Sequence, residues 1–206
     1  MRTIIVALAA VAMLTVMQPA FAASQVDWDQ CKDVNNTAMA DRNIAACGRI
    51  LGDSKESAPN RAAAHSNRCA LLNKKLEYDR ALTECNQSIR LNQKGAIAHL
   101  NRGNAWRGKG DPERAIADYN EAIRLNPKYG TAYNNRGLVY EDKRDYDRAF
   151  ADYEKAIQID PKHGYAYSNR ADIYRYRGEM DRAITDYDAA IRLKSEAEDA
   201  IKKGGQ

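Results

Sequence analysis

The chain has 206 residues, with 32 Lys and Arg against 28 Asp and Glu, for a net charge of +4. That excess is too slight, and too evenly interleaved with acids, to mark a nucleic-acid binder. Hydrophobic residues make up 44% while mean hydropathy is −0.68, a balance reached by amphipathic helices that each hide one stripe.

Residues 1–22 read as a secretory signal peptide. Arg2 precedes an apolar run from Ile4 to Val16, followed by Pro19 and the small-x-small site Ala20-Phe21-Ala22. The run stops well short of the ~20 residues that a spanning anchor needs. Cleavage before Ala23 would leave a chain of net charge +3, with no membrane anchor, in the periplasm or, alternatively, secreted beyond it.

Residues 23–61 hold a degenerate helical hairpin and a polar loop, GDSKESAPN. Asp41-Arg42 fixes its register against Asp79-Arg80, Asp147-Arg148 and Asp181-Arg182. Four fuller units follow at 62–95, 96–129, 130–163 and 164–195, and residues 196–206 read as a solvating C-terminal helix and tail. The units share one fixed interval: Asn101-Arg102 returns as Asn135-Arg136 and Asn169-Arg170, Tyr119 as Tyr153 and Tyr187, Ala122 as Ala156 and Ala190, and Pro127 as Pro161. A fixed period of this length indicates a stack of similar units, not one globular core. Gly110 and Gly178 mark the break inside a unit, Asp111, Asp145 and Glu179 open the second helix, and Pro127 and Pro161 stop it.

With Gly103, Trp106, Ala115, Tyr119, Ala122 and Pro127, the unit resembles the tetratricopeptide repeat, a helix-turn-helix whose period is about 34 residues. The resemblance implies an all-α fold, a right-handed superhelical stack of such repeats. It further implies an exported scaffold or adaptor whose concave face, lined by first helices, holds a peptide segment or helix of another protein. On the wet side of those helices stand Asn67, Leu100, Asn101, Asn104, Arg107, Asn134, Asn135, Leu138, Tyr165, Asn169, Asp172 and Arg175, the candidate groove. Asparagine both donates and accepts, as a bare peptide backbone requires, although the same amides also suit hydrogen bonds inside the protein. Two other readings stand beside this one: a small molecule or glycan in the groove around Trp106, Tyr140 and Tyr174, and a structural or oligomer-forming role through the ends of the stack. No catalytic motif, cofactor site or metal site is apparent, and the expectation is a binding protein without enzymatic activity.

Four cysteines depart from the repeat. Cys31 and Cys69 stand where Gly103, Gly137 and Ala171 stand, and Cys47 and Cys85 where Tyr119, Tyr153 and Tyr187 stand. Two hairpins have thus exchanged a small residue and a tyrosine for two cysteines, which predicts disulfides Cys31–Cys47 and Cys69–Cys85. The other connectivities, free buried thiols and a zinc site are the alternatives. Arg68, Arg102, Arg136 and Arg170 are each followed, at one constant spacing, by an acid: Glu84, Asp118, Asp152 and Asp186. An ion pair inside each full hairpin accounts for this better than an acidic ligand does.

Overall fold

The computed structural model describes residues 23–204, so the leader expected at 1–22 lies outside the described residues. Among the described residues all regular structure is helical. Ten α-helices run in order: α1 Gln25–Lys32, α2 Ala40–Gly52, α3 Ala58–Lys74, α4 Tyr78–Leu91, α5 Ala96–Gly108, α6 Pro112–Leu125, α7 Gly130–Asp142, α8 Tyr146–Ile159, α9 Gly164–Tyr176 and α10 Met180–Gly204. Consecutive helices pair into five antiparallel hairpins, and each hairpin packs on the next.

Local chemistry sets the boundaries. Asp111 accepts from the Arg114 amide and Asp145 from the Arg148 amide, satisfying donors that open α6 and α8. In the inter-hairpin loops Asn92, Asn126 and Asp160, each one period after the last, accept from the amides two residues on. The turn within a hairpin requires a left-handed residue at 76, 110, 144 and 178. Gly110 and Gly178 adopt φ of 76° and 79° freely, whereas Leu76 and Arg144 are held at 61° despite their side chains.

The two helices of a hairpin bury different amounts because they have different neighbours. Second helices hide one stripe: α6 buries Ala115, Asp118, Tyr119 and Ala122, and α8 the matching Ala149, Asp152, Tyr153 and Ala156. First helices pack on their own partner, on the second helix of the preceding hairpin and on adjacent first helices, so α5 buries Ala98, His99, Leu100, Asn101, Gly103 and Ala105. Within a hairpin, the ring of Tyr119 lies on Gly103 and that of Tyr153 on Gly137. A Cβ at either glycine would stand 2.7 or 2.6 Å from a ring carbon. Both tyrosines are fully buried.

In the first two hairpins the same place holds sulfur. Cys31 and Cys47 stand at disulfide distance, 2.09 Å between sulfurs, and Cys69 and Cys85 at 2.10 Å. All four are fully buried, and no His, Cys, Asp and Glu cluster able to hold a metal occurs among the described residues.

The arginine–acid pairs form as forks in the last three hairpins. Arg102 grips Asp118 through Nε and Nη2 at 2.9 and 2.7 Å, Arg136 grips Asp152 at 2.8 and 2.6 Å, and Arg170 grips Asp186 at 2.7 and 2.9 Å. The second hairpin departs from this pattern. His65 Nδ1 takes Glu84 at 2.7 Å, which leaves Arg68 3.5 Å from that carboxylate with its Nε buried and, among the described residues, unpartnered. Burial alone would raise the Asp118 carboxyl, but hydrogen bonds and charge from His99 and Arg102 hold it below its ordinary value. Residues 196–204 form no separate helix but extend α10. Ser195 stands where Pro127 and Pro161 end α6 and α8, and α10 continues through it to Gly204.

Candidate interaction groove

Three successive first helices, α3, α5 and α7, together open a groove of about 560 Å³. Its wall comprises Ala70, Asn73 and Lys74 from α3, Asn101, Asn104, Arg107 and Gly108 from α5, Asn135 and Asp142 from α7, and Tyr78 from the start of α4. Gly108 belongs there for a steric reason: a Cβ would fall 2.2 Å from the Tyr78 ring, so any side chain would displace it.

Amide hydrogen bonds tie the wall together. Asn104 Oδ1 accepts from the Tyr119 hydroxyl at 2.8 Å and from Asn135 Nδ2 at 2.9 Å, linking two hairpins through one oxygen. Asn101 Nδ2 donates to the Ser66 carbonyl at 3.2 Å, and Asn73 Nδ2 donates to the Asn101 carbonyl at 2.7 Å. Asn73 Oδ1 remains buried without a partner among the described residues. An unpaired buried acceptor costs ~1–3 kcal/mol. Charges of both signs flank it: Arg107 Nε meets Asp142 Oδ2 at 3.2 Å, and Lys74 reaches Asn35 at 3.2 Å. Burial pushes the Tyr119 hydroxyl well above its ordinary range, so it stays a neutral donor to Asn104.

Of the residues picked from sequence, Asn101, Asn104, Arg107 and Asn135 line this groove. The rest are spread along the stack. Leu100 is buried in the core at 5% exposure, and Asn134, at 4%, accepts from Asn169 Nδ2 at 2.9 Å. Asn67 donates to Cys31 Sγ at 3.9 Å, and Leu138 packs against the core around Tyr140 and Tyr153. Tyr165 is 80% exposed at the far end, where Asp172 receives the Tyr187 hydroxyl at 2.7 Å and Arg175 at 3.0 Å. Much of the asparagine column therefore joins first helices to one another. Sequence reading missed Ala70, Asn73, Lys74, Tyr78, Gly108 and Asp142. A signal for Asn73 was available, since it stands one period before Arg107.

The aromatic alternative meets an obstacle in geometry. Trp106 is covered by the Arg114 guanidinium at 4.3 Å from its centroid, Tyr140 is buried beneath Arg148 at 4.4 Å, and Tyr174 packs edge-on to Phe150 at 5.3 Å. These rings fill space between hairpins and do not form an open stacking platform.

No curated protein matches the chain. Among solved structures it is similar to MamA, at 25% identity and a TM-score of 0.62 over 79% of this chain and 92% of that one. It is also similar to TTC0263, described as a thermophilic TPR protein in Thermus thermophilus, at 20% identity and a TM-score of 0.70 over 86% and 98%. YrrB, described as a TPR protein with an unusual peptide-binding site, shares the fold at 19% identity and a TM-score of 0.55 over 85% and 89%. A tetratricopeptide repeat family model matches residues 74–129, 107–164 and 134–198, which together span more than half of the chain. On that match, with hairpins recurring at one fixed period in sequence and structure, the chain belongs to the tetratricopeptide repeat family.

Proposed function

We propose that this protein is an exported interaction scaffold that holds a peptide segment or helix of another protein against α3, α5 and α7. The observation that carries this reading is the groove itself, walled by the amides Asn73, Asn101, Asn104 and Asn135 and by charges of both signs, Lys74, Arg107 and Asp142. Such a wall matches the alternating donors and acceptors of a peptide backbone. Because the wall is braced by Asn104, Asn135 and Tyr119, binding would draw on a preformed surface and lose little to ordering. Two buried cysteine pairs at disulfide distance support an oxidising compartment, in keeping with the leader-like residues 1–22. Among the described residues no helix is long and apolar enough to cross a membrane.

The test is affinity capture from periplasmic extract with the wild-type chain and with Asn73→Leu plus Arg107→Glu. A discrete partner retained by the first and lost by the second supports the groove. An unchanged set of captured proteins, from variants that melt like wild type, contradicts it.

A further inference from the structure

Among the described residues, the fifth hairpin leaves one face of the stack open. Ile184 and Ile191 on α10 are 57% and 67% exposed, although one period earlier Phe150 and Ile157 are half-buried, Phe150 against Tyr174 of α9. Tyr187 is likewise part-exposed where Tyr119 and Tyr153 are fully buried. A cavity of about 490 Å³, with Ile191 and Leu193 on its wall, lies between the start of α9 and the middle of α10. Since α10 runs straight on past Leu193, it does not cover this face.

Charge is patterned along the same faces of the preceding hairpins. Along the stack, an acid in the first turn of α2, α4, α6 and α8 receives a cation from the next hairpin: Asp41 from Lys75, Asp79 from Lys109, Glu113 from Lys143 at 2.5 Å, and Asp147 from Arg177 at 2.6 Å. Seven residues further on in α4, α6 and α8, a second acceptor meets an arginine of the next hairpin. Asn86 takes Arg102 at 2.8 Å, Asn120 takes Arg136 at 2.5 Å, and Glu154 lies 3.9 Å from Arg170. The next members of the two series are Asp181 and Asp188. Both are exposed, and neither meets a cation among the described residues.

We propose that this open face of α9 and α10 docks a helix of another protein, one that carries two cations seven residues apart beside a stripe of small and apolar residues. Arg102 with Lys109, Arg136 with Lys143 and Arg170 with Arg177 present that spacing inside the chain. A second copy stacked end to end lacks it, because its first hairpin has Gln30 and Thr37 where later hairpins carry the two cations. The site is separate from the concave groove and does not depend on it.

A fluorescent, helix-stabilised peptide with the sequence of residues 161–178, which contains Arg170 and Arg177, serves as the probe. Its binding is read by anisotropy against the wild-type chain and against Asp181→Lys plus Asp188→Lys. Saturable binding that the double reversal weakens by about tenfold is expected, with binding restored when the peptide carries Arg170→Glu and Arg177→Glu. The groove variant, Asn73→Leu plus Arg107→Glu, should bind the peptide as wild type does. Absence of saturable binding, or equal binding to the reversed chain, overturns the proposal. Self-association of the chain alone that Ile191→Glu abolishes would assign the face to a second copy and overturn the choice of occupant.

Discussion

In α5/α6 and α7/α8 the closest approach of two helices is filled by a tyrosine ring lying on a glycine; in α1/α2 and α3/α4 the same place holds two cysteines. The difference lies in what each arrangement needs from its surroundings. A tyrosine is a good lock only where the next hairpin covers it: Tyr119 and Tyr153 are fully buried, whereas Tyr187, with no further hairpin packed on it among the described residues, is not. A covalent link asks nothing of a neighbour. It therefore suits α1/α2, whose α1 has only eight residues and which packs on a hairpin at one side alone among the described residues. One end of the stack is stapled, and the other is left open.

Substitution should expose this asymmetry. Tyr153→Ala removes a fully buried ring and should cost ~3–5 kcal/mol in urea unfolding, while Tyr187→Ala should cost less than half as much. Equal losses would show that the ring is worth the same with and without a covering hairpin. Arg136→Glu sets a carboxylate against the buried Asp152 and should cost ~3 kcal/mol. Arg68→Glu should cost less, because Glu84 keeps His65 and Arg68 stands 3.5 Å away. The smallest effect has the opposite sign. Arg144→Gly relieves a left-handed turn that Gly110 and Gly178 occupy freely, and should raise stability by ~1 kcal/mol in the same assay.

The fold was legible because the repeat writes its packing into fixed columns. Small residues, tyrosines and acids one period apart are the buried stripe of α6 and α8, and the cysteine columns led to the pairs at disulfide distance by the same register. The groove was legible only in part. Asparagine types identified the inner face, but whether an amide points to solvent or to the next helix depends on hairpin spacing, and Asn134 and Asn169 bond to each other. Leu100 looked wet by periodicity alone, yet first helices are covered on more than one side. At the C-terminal end the missing proline at Ser195 was readable, but the open face it leaves required the burial of neighbouring hairpins for comparison.

Hydrogen exchange of the purified chain, measured segment by segment before and after reduction, tests the contrast most directly. The account predicts that reduction strips protection from α1 to α4 while α7 and α8 keep theirs, since their lock is packing. Unchanged protection in α1 to α4, or equal loss along the whole stack, would contradict it.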